Sequence, residues 1–168
     1  MVMNFDEKNR ICGSTIISYL LEKSRVTKRD PKERNYHVFY QILRGIDEQV
    51  LKKWSMSPNV SSYRYLLASD TEAPPDFEDA KHFQEMSKSF LDLGFTAEET
   101  THIYEIVGAI LMLGNVIFIA SPDGESSKIL NADIVNKVAG MLSVDATILQ
   151  YGFVSRTLET GMVRIKFK

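Results

Sequence analysis

One cysteine, Cys12, is the whole thiol complement of these 168 residues. A disulfide framework is excluded, and a thiolate zinc site lacks its ligands. A single thiol also fits a reducing compartment. There is no glycine-rich phosphate cradle: neither G-x-x-x-x-G-K-[ST] nor G-x-G-x-x-G occurs. Without such a loop to array backbone amides, tight nucleotide binding by this chain has no sequence basis. H-E-x-x-H and G-x-S-x-G are missing too. His37, His82 and His102 form no i, i+4 ligand pair, so each is expected to be packed or surface-lying. Residues 1–10, MVMNFDEKNR, contain no apolar run, so no signal peptide is expected there. The longest apolar stretch, 103–119, is broken by Tyr104, Glu105, Gly108, Gly114 and Asn115, and is too interrupted to span a bilayer. A net charge of -2 gives no global basic field, which argues against a nucleic-acid partner. The expectation is a soluble, intracellular chain.

What is present is an ordinary globular balance, 44% hydrophobic and 25% charged, enough for one moderate core. The pattern predicts a mainly α fold with small β-hairpins, an α+β arrangement. Residues 2–19 read as a hairpin, with turn-like Glu7-Lys8-Asn9-Arg10 between an apolar piece and a β-branched run from Ile11. Gly13 within that run predicts a bulge or a close backbone approach, and Cys12 among apolar neighbours predicts a buried thiol rather than a nucleophile. Residues 22–34 are crowded with charges of both signs, and Pro31 breaks any early helix. From Asn35 a helix is expected, because Tyr36, Phe39, Tyr40 and Leu43 share one face; Gly45 would stop it.

Residues 47–54 read as a short helix with Val50, Leu51 and Trp54 inward, and residues 63–67 as an anchor within an otherwise irregular 55–80. A helix over 77–93 presents Phe83, Met86, Phe90 and Leu93 on one face, capped by Asp76 or Asp79. Thr96 with Glu99 forms a capping box. The helix that follows, ending at Gly114-Asn115, is apolar around most of its circumference through Ile103, Ile106, Val107, Ile110, Leu111 and Leu113, and is expected to be central and buried. Beyond it come a β-like piece at 116–119, a polar loop at 121–127, a helix capped by Asn131, and a shorter one capped by Asp145 that ends at Gly152. A final hairpin is expected, with strands at 153–158 and 162–168 and a turn at Glu159-Thr160-Gly161. Glu98 and Glu99 are better placed for the helix dipole than for acid–base chemistry. No reaction centre emerges, which leaves a binding module or a piece whose chemistry lies elsewhere.

The residues YLLEKSRV at 19–26, continued by ERNYHVFYQ at 33–41, resemble the signature that follows switch I in myosin motors. Phe5-Asp6-Glu7, Arg10-Ile11 and Gly13 resemble the hairpin after switch I. Leu93-Gly94-Phe95-Thr96 with Glu98-Glu99, and the run 109–118, resemble that family's entry to and exit from a long core helix. The likeness runs over nearly the whole chain. It implies most of an upper actin-binding subdomain: residues 1–19 a transducer-type hairpin, 35–152 a helical core, 153–168 the start of an actin-contacting loop. It implies an ATP-driven motor, with ATP and magnesium bound outside this chain and no catalytic residue within it. The implied partners are the actin filament and the remainder of the motor, in the cytoplasm and on the cytoskeleton. Arg156, Arg164, Lys166 and Lys168 become candidate actin contacts, against the plainer reading of a solvated strand face. A regulatory acidic or phosphorylatable position would fall at Glu159, Thr160 or Met162. Glu22, Lys23 and Arg25 would either communicate with a nucleotide pocket or form an exposed ion-pair network. Cut free of a larger sheet, the first hairpin is expected to be poorly ordered or to self-associate through its edge. The alternative is a stand-alone helical interaction module with a myosin-like core.

Overall fold

A computed structural model describes residues 1–17, 22–28, 30, 33–67, 78–122, 124, 126–160 and 163–167, the last two strands through their backbone pairing only. The expected fold class holds: among the described residues helices form the body, and three antiparallel two-stranded sheets decorate it. Strands β1 (Val2–Phe5) and β2 (Ile11–Thr15) pair from Val2↔Thr15 to Phe5↔Ile11, with a register shift after Asn4↔Gly13. The bulge announced by Gly13 is therefore present, and Cys12 is the extra residue. The turn is held by Asp6, whose carboxylate accepts from the amides of Lys8 (2.8 Å) and Arg10 (2.9 Å) and pairs with the Arg10 guanidinium. These bonds, that from the Arg10 amide foremost, keep its carboxyl below the usual range. The hairpin is formed, and nothing in it is buried. Cys12 is exposed, contrary to the buried thiol expected, because no other described element covers this sheet.

After the short helix α1 (Ser24–Thr27), the core begins at α2 (His37–Gly45), where Phe39, Tyr40, Ile42 and Leu43 are buried. Helix α3 (Glu48–Lys53) is capped by Asp47, and Leu51 and Trp54 point inward as the pattern required, with Val50 packed at the margin. A 3₁₀ turn (Val60–Ser62) and α4 (Arg64–Leu67) bring Tyr63 and Leu66 into the core, which is the anchor expected of residues 63–67. The Tyr63 hydroxyl donates to the Ser57 carbonyl (2.7 Å) and accepts from its amide (2.9 Å); burial raises the phenol to about 12.

Helix α5 (Asp79–Asp92) packs against α2 and α6 (Ala97–Leu113). Phe83, Met86 and Phe90 join the core, but Leu93 lies past the last turn and is 76% exposed. Asp79 does not cap this helix, and Asp76 and Phe77 lie outside the described residues. Gly94, at φ 90°, makes the reversal into α6, a conformation costly for residues with a Cβ. The capping box is complete: Glu99 N–H donates to the Thr96 hydroxyl (3.1 Å), while Thr96 N–H donates to the Glu99 carboxylate (2.8 Å). Helix α6 is central, as expected, but not buried all round. Thr100, Tyr104, Gly108, Ala109, Leu111 and Met112 face inward, while Ile106 and Ile110 are 50% and 40% exposed on the opposite side.

The two glycines read as helix stops stand where α2 and α6 end, and they do further work. Gly45 and Gly114 both keep helix-compatible backbones without positive φ. A Cβ on Gly45 would collide with the Cβ and ring of Phe83, and one on Gly114 would sit 2.5 Å from the Tyr65 ring. These positions are notches into which a neighbouring element packs.

Strands β3 (Phe118–Ala120) and β4 (Ser127–Ile129) form a hairpin where a β-like piece and a longer loop were expected. Helix α7 (Ala132–Met141) follows, then α8 (Ala146–Val154), capped by Asp145. Gly152 does not end α8; Phe153 belongs to it and packs edge-on against Phe118 at 6.4 Å. The last hairpin pairs β5 (Arg156–Thr160) with β6 (Val163–Phe167), so β5 starts later than expected and runs through Glu159 and Thr160.

The glycine contacts predict opposite outcomes for one change. Alanine gains up to about 1 kcal/mol over glycine in a helix, whereas overpacking costs about 1–3 kcal/mol. Gly45→Ala must displace a Phe83 ring at its rigid root and will lower the urea midpoint. Gly140→Ala, with open space around its Cβ, will raise it. A second prediction concerns pH. Bonds from the Thr96 amide and then its hydroxyl hold the Glu99 carboxyl low. Its folded pKa lies below its unfolded one, so the stabilisation is full above the unfolded value and fades as pH falls below about 5. Glu99→Gln keeps the box but not the charge; its stability deficit, measured by urea unfolding, will shrink between pH 7 and pH 3.

Candidate functional site

The described residues 22–28 and 33–36 pack together ahead of the core as a strap. At its exposed end, the Arg25 guanidinium donates to Glu22 (2.7 Å) and Glu33 (2.8 Å) and reaches the Arg34 carbonyl at 3.5 Å. The hydrogen bond to Glu22 is the chief reason its pKa is raised. The Tyr36 hydroxyl donates to the Glu22 carbonyl at 3.0 Å, closing the strap onto the start of α2. The exposed ion-pair network is thus the arrangement found for Glu22 and Arg25.

The deeper end was not anticipated. Asn35 is 1% exposed, and its amide serves three segments. Its Nδ2 donates to the carbonyls of Val26 (3.1 Å) and Tyr65 (3.0 Å), and its Oδ1 accepts from Tyr36 N–H (2.8 Å). Its own N–H donates to the Tyr40 hydroxyl at 3.3 Å. Next to it, Arg34 pairs with Asp79 at 2.8 Å, with side chains only 9% and 7% exposed. The Arg34 guanidinium lies 3.9 Å above the centre of the Tyr40 ring. The sequence signal was slight: a cation and an amide just ahead of an apolar helical face.

A second polar relay fixes the far end of the core. Asn115 accepts from Arg64 N–H (2.9 Å) and donates to the Ser62 carbonyl (2.8 Å). Asn131 donates to the Asn115 carbonyl (2.9 Å) and accepts from Ile117 N–H (2.9 Å), so it is spent on this bridge rather than capping α7.

The proposed actin-contact positions fall on the last hairpin. In its register Arg156 stands opposite Phe167, Arg164 opposite Glu159, and Lys166 opposite Thr157. Glu159 and Thr160 are strand residues rather than turn residues, with Thr160 opposite Val163. Met162 and Lys168 lie outside the described residues. His82 Nδ1 lies 2.9 Å from the Glu78 carbonyl. Among the described residues no group of three or more His, Cys, Asp or Glu is placed to hold a metal ion, and no helix is long and apolar enough to cross a membrane.

Residues 1–168 match the family model described as "Myosin head (motor domain)". Among curated proteins, the chain is 37% identical over 161 residues to unconventional myosin-Id of Canis lupus familiaris, covering 96% of this chain and 16% of that protein. It is 34% identical over 170 residues to unconventional myosin-Ib of Rattus norvegicus, covering 98% and 15%. It is 44% identical over 135 residues to a "Probable myosin heavy chain" of Encephalitozoon cuniculi, covering 80% and 8%. The chain therefore spans only a small part of the length of these relatives.

The Asn35 geometry predicts a large effect from a small deletion. Asn35→Ala strands the Val26 and Tyr65 carbonyls and the Tyr36 amide, and each buried group left unpaired costs about 1–3 kcal/mol. Urea unfolding will show a loss of at least about 2 kcal/mol from these groups together, with rapid amide exchange throughout residues 22–28.

Proposed function

The chain belongs to the myosin head (motor domain) family, and we propose that it forms the upper actin-binding subdomain of an actin-based, ATP-driven motor, coupling nucleotide state to actin affinity without hydrolysing ATP by itself. The observation that carries this reading is a family match over residues 1–168 on a sequence without a phosphate loop. The sequence carries no phosphate loop, and among the described residues no group of three or more His, Cys, Asp or Glu is placed to hold a metal ion. In this reading ATP and magnesium are bound by other parts of the motor.

The division of labour follows the elements. Residues 1–19 serve as a transducer-type hairpin, 35–152 as the helical core, and 153–168 as the beginning of an actin-contacting loop. The first hairpin supports this assignment: it is ordered within itself yet leaves Phe5, Ile11 and Ile16 exposed at 54%, 65% and 81%, a surface suited to a larger sheet. Arg156, Arg164, Lys166 and Lys168 meet the acidic surface of the filament. Such rim charges act on encounter rate and salt dependence more than on final affinity. The regulatory position falls among Glu159, Thr160 and Met162. The setting is the cytoskeleton within the cytoplasm.

Two measurements on the purified chain test this. ATP turnover is expected to stay at the buffer background; robust turnover abolished by EDTA would overturn the assignment. Cosedimentation with actin filaments is expected at low salt and weaker in Arg164→Glu/Lys166→Glu, by roughly two- to fivefold, since exposed charge pairs contribute up to about 1 kcal/mol. Binding indifferent to both salt and charge reversal would remove these cations from the interface.

A further inference from the structure

We propose that Arg34 and Asp79 are a positioning pair, a register latch that holds residues 33–36 in one alignment against α5, so that a displacement of this segment is carried into the helical core. The proposal rests on the coupling role argued above.

The latch joins residues 45 positions apart, and both partners are almost fully out of water. Stability alone is a poor reason for such a pair. Desolvating two charges is expensive, and well-packed apolar residues of similar volume often serve as well or better. What the ion pair adds is direction. Apolar surfaces slide over one another at modest cost, whereas a 2.8 Å contact in a low-dielectric setting does not survive a shift of a few ångströms. The guanidinium is fixed on a second axis by the Tyr40 ring at 3.9 Å. The neighbouring Asn35 amide joins the two parts of the strap at the Val26 carbonyl and ties them to the Tyr65 carbonyl, so Arg34 has little freedom to swing.

The two ends of the latch belong to different bodies. On one side, the Arg25 guanidinium gathers Glu22, Glu33 and the Arg34 carbonyl, so residues 22–28 are joined to the segment that carries Arg34. On the other, Asp79 is the first residue of α5. That helix is seated in the Gly45 notch of α2 through Phe83 and bound to α6 by the Ser87–Tyr104 hydroxyl contact at 2.8 Å. Helix α5 therefore moves as a unit with its neighbours. Residues 33–36 held to the first residue of α5 form a short lever onto the core.

The test uses the complete motor that contains this chain, in the wild type, in Arg34→Met/Asp79→Leu and in Arg34→Lys. The readouts are Tm and the ratio of actin affinities without nucleotide and with ATP. In the apolar double variant Tm is expected to stay within a few degrees, while the affinity ratio drops about tenfold or more, within the usual range of coupling between sites. Arg34→Lys keeps the charge but loses the planar stack and fork, and is expected to lower the ratio by a smaller factor. A double variant that folds and keeps the wild-type ratio would reduce the pair to a structural contact and overturn the proposal. Should the double variant not fold, an unchanged ratio in Arg34→Lys overturns it instead. A wild-type motor whose actin affinity ignores nucleotide is a different result: it removes the coupling role, and the latch with it.

Discussion

The buried amide of Asn35 is the constraint on which the arrangement of this chain depends. It sits where three segments meet, each arriving with a backbone group that the core deprives of water. Nδ2 satisfies the Val26 and Tyr65 carbonyls, and Oδ1 satisfies the Tyr36 amide. Asparagine carries both donors and an acceptor on a short stem, which suits a crossing of this kind. With the amide in place, α2 starts at a fixed point, and its apolar face meets α5 and α6 in one register. Arg34 is then delivered to Asp79 with its ring partner Tyr40 already beneath it.

Close approach between elements is obtained by subtraction. The Phe83 ring enters α2 at Gly45, the Tyr65 ring lies against Gly114, and Met56 and Met141 meet at Gly108. Around Tyr104 the rings of Phe83 and Phe90 pack at 5.0 and 6.2 Å, so the aromatic centre of the core sits directly beside these notches. A protein interior this dense transmits displacement instead of absorbing it. In the proposed coupling role, rigidity of the helical body and a polar grip on residues 33–36 are complementary.

Local rules made a good part of this legible in the sequence. The capping box at Thr96, the face of α2, the anchor at Tyr63 and Leu66, the bulge at Gly13 and the Asp145 cap all depend on residues a few positions apart, and all appear. What escaped were decisions made by distant partners. Arg34 read as one more charge in a charged run because Asp79 lies 45 residues on. Gly45 and Gly114 end their helices as read, but their close packing escaped notice because their neighbours, Phe83 and Tyr65, are not adjacent in sequence. Asn131 read as a cap because Asn115 had first claim on it only in three dimensions. The C-terminal hairpin was legible as alternation, but its turn was misplaced by about a residue, since Glu159 and Thr160 are paired.

The exposed residues that were expected inside carry the remaining lesson. Ile106 and Ile110 on α6, and Cys12 with Ile11 on β2, obey patterns of burial yet face outward. Amino-acid patterning records the environment of the whole molecule in which a segment works, whereas this chain spans 16% of a relative such as unconventional myosin-Id. In the coupling role proposed above, exposed apolar positions of this sort are surfaces for neighbouring parts of a motor, and the buried Arg34–Asp79 pair supplies direction more than stability.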